Sequence, residues 1–227
     1  MSSALVVPAA GRGDRLGADR PKALVPLDGV PLLVHAVQRA TASGVLDAVV
    51  VVAPAGACEE VRELLRPVVP DVVVVAGGTE RQDSVRCGLD ALPADVDVVL
   101  VHDAARCLTP PAVFASVVDA VRAGAPGVVP VLPVSDTVKR VAGRRVLETV
   151  DRSELVAVQT PQGFSAPVLR AVHAAAVPGA AATDDAGMLE ALGHPVVTVP
   201  GDDRAFKVTR PLDLLLAEAL LAAEVTA

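Results

Sequence analysis

The sequence contains no tryptophan and no tyrosine, and three phenylalanines in 227 residues. Aromatic stacking platforms for single-stranded nucleic acid are therefore largely missing. Charge points the same way. The formal net charge is -7, whereas a general nucleic-acid binder is usually basic. Cysteine is scarce: Cys58, Cys87 and Cys107 are odd in number, widely spaced, and form no C-x-x-C pair. They read as small buried hydrophobes in a reducing compartment. No stretch of 18 apolar residues lacks charge or turn residues, so no membrane span is expected. Met1-Ser2-Ser3 lacks a basic n-region, so no signal peptide is expected either. A soluble cytoplasmic protein is the default. At roughly 100–200 residues per domain the chain is one large domain, or a domain with a small extension. A chain of this size buries enough surface to need no disulfide or metal staple.

What is present begins with residues 4–22, ALVVPAAGRGDRLGADRPK. An apolar run, Ala4-Leu5-Val6-Val7, breaks at Pro8. Gly11, Gly13 and Gly17 follow, interleaved with Arg12, Arg15 and Arg20 and closed by Pro21-Lys22. A strand that runs into glycines and cations brings backbone N–H groups and positive side chains to one place, as a phosphate site requires. The glycine spacing is one residue too long for G-x-G-x-x-G, and no G-K-[ST] occurs. The loop is neither a dinucleotide fingerprint nor a Walker A loop. It reads as a backbone cradle for a nucleoside triphosphate, with Arg15 and Lys22 balancing its charge.

Beyond the loop, apolar β-branched runs alternate with segments of helical period. Strands are expected at 48–52, 72–75, 96–101, 127–131 and 196–199. Helices are expected at 31–40, 59–66, 83–92, 111–123, 166–176, 184–192 and 211–223. The last carries Leu212, Leu215, Leu216, Ala219 and Leu220 on one face. Alternation of this kind predicts a doubly wound α/β domain with a mostly parallel sheet, and ligands at the carboxyl ends of its strands. Residues 134–158 break the pattern. They are polar and alternating, with a turn at Gly143-Arg144, and read as a hairpin of 137–141 against 145–150. The expectation is a single domain over 1–227 with a protruding β-arm inserted at about 134–158.

Three further motifs carry chemistry. In GGTERQDSV, residues 77–85, two glycines end a strand and allow close backbone approach to a flat base. Ser84 offers a hydroxyl where a helix begins. In HDAAR, residues 102–106, Asp103 directly follows a buried strand and is placed to hold Mg²⁺. His102 reads as a structural histidine, and Arg106 as a mainly structural partner of Asp103. In GDDRAFKVT, residues 201–209, Asp203 is a candidate to share the metal and Lys207 to hold a phosphate. Asp184-Asp185 reads only as a helix N-terminus.

Taken together and in order, AAGRGDRLG…RPK, GGTERQDSV, HDAAR, TPQGF and DDRAFKVTRPLDLLLAE resemble the 2-C-methyl-D-erythritol 4-phosphate cytidylyltransferase family over nearly the whole chain. The resemblance implies a Rossmann-like nucleotidyltransferase fold, with a mostly parallel twisted sheet, helices on both faces and a β-arm that joins a homodimer. It implies use of CTP with Mg²⁺ to make 4-diphosphocytidyl-2-C-methyl-D-erythritol and pyrophosphate in non-mevalonate isoprenoid biosynthesis. It implies that Ala9, Ala10, Gly11 and Gly13 line the nucleotide, and that Gly78 and Ser84 meet cytosine and ribose. Arg15, Lys22 and Lys207 would be the catalytic cations, and Asp103 the metal carboxylate. Thr137, Arg152, Thr160 and Thr183 would bind methylerythritol phosphate, with Arg152 reaching into a partner's site. One departure stands out: where the family usually continues Pro-Lys with Gln and an aromatic residue, this chain has Ala23-Leu24. Rival readings are a cytidylyltransferase for another polyol phosphate such as ribitol 5-phosphate, and a nucleotide-binding regulator without turnover. A D-x-D glycosyltransferase is disfavoured, because Asp202-Asp203 lacks that spacing.

Overall fold

A computed structural model describes residues 1–11, 20–176 and 184–225. Its centre is a mostly parallel sheet. β1 (Ser3–Pro8) lies between β4 (Ala48–Ala53) and β6 (Val98–Val101), parallel to both, and β5 (Val73–Ala76) extends the sheet beyond β4. On the other side β7 (Gly127–Pro133) pairs in parallel with β12 (Val196–Pro200). Between β6 and β7 sits β11 (Gln162–Ser165), antiparallel to both, and β10 (Val156–Val158) continues along the same edge of β7.

Successive side chains of a strand point to opposite faces, and the core divides accordingly. Leu5, Val7, Val49, Val51, Val98 and Leu100 face α1 (Leu32–Thr41), α2 (Cys58–Leu65) and α4 (Pro111–Arg122). Ala4, Val6, Val50, Val52, Val99 and Val101 face α3 (Arg81–Asp90), α5 (Ala166–Ala175) and α6 (Asp185–Ala191). Both faces are covered, as expected for runs of buried β-branched residues. The strands and helices expected from periodicity are present, with ends displaced by a few residues. Strands β10 and β11 were not expected.

Two local expectations are refined. The chain from Lys22 forms a one-turn 3-10 helix, Lys22–Leu24, then a small hairpin of β2 (Pro26–Leu27) and β3 (Val30–Pro31). Asp28 and Gly29 turn it with positive φ, 50° and 75°, the conformation that an Asp-Gly hairpin turn favours. Ala23 and Leu24 are buried in the core with Leu33, Val34 and Val37 of α1. The departure from the usual Gln-aromatic pair therefore fills apolar space.

The second refinement concerns α7 (Pro211–Val225). Leu214, Ala217, Leu220 and Leu221 pack inward, against Leu27, Leu32, Ala36 and Leu108. Leu212, Leu215 and Leu216 are exposed, at 73%, 62% and 51%. The expected apolar face is thus mostly the outer one. The helix is apolar nearly all round, and a period alone does not choose a side.

The arm is present as β8 (Val138–Ala142) against β9 (Arg145–Val150), a two-stranded sheet of its own. Nearly all of its residues are exposed. Among the described residues no helix is long and apolar enough to cross a membrane.

Candidate active site

Three strand ends converge on one cavity of about 290 Å³. Just past β1, Ala9 N–H donates to Val52 O at 2.8 Å, which holds Pro8–Gly11 along the cavity rim. Just past β5, Gly77 N–H donates to Ala53 O at 2.8 Å, and Gly78, Thr79 and Glu80 follow on the wall. Just past β6, His102 N–H donates to Val6 O at 3.0 Å, and Asp103, Ala104 and Ala105 complete that side. Every contributing strand presents its carboxyl end, where parallel sheets place their ligands. Lys22 and Lys207 reach the cavity from opposite ends of the sequence.

Close packing shapes the floor. A Cβ on Gly77 would stand 2.6 Å from the Ala10 Cβ and 2.8 Å from the Ser84 Oγ. Any larger residue there would push the first loop and α3 apart. Ser84 is not at the start of a helix as expected. α3 begins at Arg81, preceded by Glu80, whose N–H donates to Asp83 Oδ2 at 3.2 Å. Ser84 lies inside the helix, 3% exposed, and its hydroxyl donates to Glu80 O at 3.2 Å.

Asp103 is the electrostatic centre. Lys207 Nζ is 2.7 Å from its Oδ2, Arg106 Nε is 4.0 Å from Oδ2, and Arg81 Nε is 3.9 Å from Oδ1. Burial alone would raise the carboxyl pKa, but these three cations, Lys207 foremost, hold it at about 2. The group is a full carboxylate at neutral pH.

Its placement is fixed from behind. Thr160 Oγ1 accepts from Asp103 N–H at 3.0 Å and shares a hydrogen bond with His102 Nδ1 at 3.0 Å. His102 is fully buried, edge-on to Phe114 at 4.9 Å, and burial lowers its pKa to about 4. It sits in the structural place expected of it, with Nδ1 bonded but Nε2 buried without a hydrogen-bond partner among the described residues. Arg106 donates to Ala205 O at 2.7 Å and to Val158 O at 3.2 Å, while Val208 N–H donates to Ala105 O at 2.8 Å. These bonds lash the segment carrying Lys207 to the Asp103 loop.

The structure thus brings Ala9, Ala10, Gly11, Lys22, Gly78, Ser84, Asp103 and Lys207 to one cavity. Gly13, Arg15 and Thr183 lie outside the described residues. Two further expected residues stand off this cavity wall. Thr160 is 5% exposed and stands behind the wall, its hydroxyl engaged with His102 and Asp103. Asp203 is an exposed residue of the 3-10 turn Asp203–Ala205, off the cavity wall. That turn points its neighbour Asp202 at Arg204, at 3.2 Å, and leaves Asp203 facing solvent. Thr137 and Arg152 are exposed at the base of the arm, where Arg152 donates to Ser135 O. Neither lines this cavity. Cys107 is buried, and burial pushes its thiol up to about 12, so it is inert at neutral pH.

Of the wall residues that the sequence did not single out, Arg81 matters most. Arg81 stood in the GGTERQDSV motif without being singled out, yet it lines the cavity beside Asp103. Its other partner is Asp185, 104 positions away. Residue order offers no signal for that pairing.

Comparison with known proteins then decides the family. Residues 3–223 match the family described as 2-C-methyl-D-erythritol 4-phosphate cytidylyltransferase (IspD). The chain belongs to this family. A cytidylyltransferase of that name from Nocardia farcinica is 57% identical over 218 residues, covering 95% of this chain and 92% of its own. One from Streptomyces avermitilis is 53% identical over 231 residues, covering 97% and 92%. Among solved structures, the cytidylyltransferase from Thermus thermophilus is 37% identical and superposes with a TM-score of 0.80, covering 98% of this chain and 100% of that one. The cytidylyltransferase family accounts for the fold expected from the sequence, including its Rossmann-like sheet.

Proposed function

We propose that this chain transfers a cytidylyl group from CTP to 2-C-methyl-D-erythritol 4-phosphate, giving 4-diphosphocytidyl-2-C-methyl-D-erythritol and pyrophosphate. Family membership over residues 3–223 supports the reading. The observation that carries it at the site is Asp103 paired with Lys207 at 2.7 Å, on a cavity that Lys22 and the Ala9–Gly11 backbone also line.

The chemistry follows from charge. The acceptor is a phosphate monoester with a second pKa of about 6, so it is largely dianionic at pH 7 and needs no general base. One of its oxygens attacks the α-phosphorus of CTP. A new P–O bond forms there, the bond to the oxygen bridging the β-phosphate breaks, and its electron pair leaves with pyrophosphate. An anion attacks an anionic centre, so positioning and charge neutralisation carry the catalysis. Lys22 and Lys207, with Arg15, are the cations assigned to that task. The backbone of Ala9, Ala10 and Gly11 is assigned to the nucleotide, and Gly78 and Ser84 to cytosine and ribose. Gly13, two positions further along the sequence, is assigned with them.

Mg²⁺ fits Asp103. The ion takes one or two carboxylates together with substrate phosphates, and Asp103 is an ionised carboxylate on the cavity wall. When bound, the ion would neutralise phosphate charge. Lys207 would then exchange its contact with Asp103 for a phosphate oxygen. Arg152, with Thr137, belongs to the acceptor half of the site in this reading, and supplies it across a homodimer formed through the arm. A cytoplasmic location accompanies the reading, in keeping with three free cysteines.

The test is pyrophosphate release from CTP, UTP and ATP, each with methylerythritol phosphate or ribitol 5-phosphate. Release with CTP and methylerythritol phosphate, about 10²-fold faster than with the other pairs, is the expected outcome. It should cease in excess EDTA. Preference for ribitol 5-phosphate would move the chain to that sister activity, and CTP binding without release would make it a regulator.

A further inference from the structure

Behind the cavity lies a charged cluster that the reaction above does not use. Asp185, at the start of α6, is 0% exposed. Its Oδ2 accepts from Arg81 Nη1 at 2.7 Å and its Oδ1 accepts from His173 Nε2 at 3.0 Å. Arg81 comes from α3, His173 from α5. Three helices on one face of the sheet therefore meet at one buried carboxylate. α6 is itself anchored to β11, because Gln162 Nε2 donates to Asp184 at 2.6 Å and Gln162 Oε1 accepts from Ala186 N–H at 3.2 Å.

From Arg81 the charges alternate into the cavity. Its Nε is 3.9 Å from Asp103, and Asp103 in turn holds Lys207. A buried ion pair is weak evidence of stability, since desolvation offsets most of the attraction. Its better use is orientation. Arg81 has a long side chain with many rotamers, and a guanidinium at a phosphate site is useful only where its fork is fixed.

We propose that Asp185, itself held by His173, is a positioning residue that clamps the Arg81 guanidinium on the cavity wall beside Asp103, so that a fixed cation faces the triphosphate of CTP. The inference rests on the cytidylyltransferase reading. Burial opposes the ionised form of Asp185, but the hydrogen bond from His173 and the charge of Arg81 outweigh it and keep its pKa below the ordinary carboxylate value. Arg81 is correspondingly held as a cation: burial opposes its charge, and Asp185 and Asp103 more than compensate.

A double-mutant cycle tests the clamp, because residues that act through one another lose less together than the sum of their separate losses. Arg81→Gln should lower kcat/KM for CTP by about 10²-fold. Asp185→Asn should lower it by about tenfold in the parent and by less than about twofold in the Arg81→Gln background. The KM for methylerythritol phosphate should stay put in all three variants. If Asp185→Asn does not fold, the same cycle is run with His173→Leu, with His173→Gln as the conservative variant that keeps an N–H donor and restores activity. Losses that add, a shift confined to the acceptor KM, or parent-like kcat/KM in Asp185→Asn would each overturn the clamp. A parent protein that releases no pyrophosphate from CTP would overturn the functional reading instead, and the clamp with it.

Discussion

Asp103 bears a negative charge where burial works against one, and the reason it remains ionised is that three cations surround it. They are not equivalent. Arg106 is largely engaged with the carbonyls of Ala205 and Val158, and Arg81 with Asp185. Lys207 is the least enclosed, with 41% of its side chain exposed, and it makes the shortest contact to Asp103. A point charge on a flexible stem suits a group that must change partners during a reaction. Lys207→Gln should therefore lower kcat by about 10²-fold, by analogy with the loss of other preorganised charge donors. Its melting temperature should fall by a few degrees without loss of the fold, since Lys207 helps offset the burial of the Asp103 charge while Arg81 and Arg106 remain beside it. Steady-state kinetics beside a thermal melt check both halves. Parent-like turnover would remove Lys207 from the catalytic set, and collapse of the fold would make its role structural.

Among the elements, β11 does most to set the site. It is antiparallel in a parallel sheet, and it separates β6 from β7. Chain leaving it supplies α5 and therefore His173, and chain entering it supplies Thr160 behind Asp103. Its packing explains a glycine: a Cβ on Gly163 would lie 2.3 Å from Val117 Cγ1 on α4. Gly163→Ala overpacks that contact at a cost of about 1–3 kcal/mol. At about 2–4 °C per kcal/mol for a chain of this size, calorimetry should show a melting temperature lower by roughly 2–12 °C. Val117→Ala should cost less in the Gly163→Ala background than in the parent. An unchanged melting temperature would mean that β11 and α4 are not in contact as described. The same strand marks where sequence reading stops. Runs such as Val49-Val50-Val51-Val52 announce buried strands by themselves. Gln162-Gly163-Phe164-Ser165 carries one large apolar residue, and becomes a strand only because β6 and β7 offer edges on both sides. The site divides in the same way. Gly11, Lys22, Asp103 and Lys207 were legible because each sits in a compact motif next to a strand end. Arg81 and Asp185 were not, because what they do depends on a contact between α3 and α6.

At the scale of the whole molecule the arm stands out among the described residues, because nearly all of it is exposed. Val141, Val146 and Leu147 are exposed by 53–56% on β8 and β9. Arg152 and Thr137 lie at its base, away from the cavity holding Lys22 and Asp103. If Arg152 serves the acceptor half of a site, the homodimer proposed above solves the geometry: each arm completes the cavity of the other subunit. A two-fold dimer then has two composite sites, each drawing on both chains. Complementation distinguishes this from an arm that folds back on its own chain. Lys22→Ala and Arg152→Ala proteins should each be nearly inactive alone. Unfolded together in equal amounts and refolded, half of the dimers are mixed, and each mixed dimer has one site with both residues intact. Activity should return to about a quarter of the parent's. Mixing without refolding should restore less, to the extent that subunits exchange slowly. A refolded mixture no more active than the mean of its parts would place Arg152 and Lys22 in the same chain's site, and the arm would lose its proposed role between subunits.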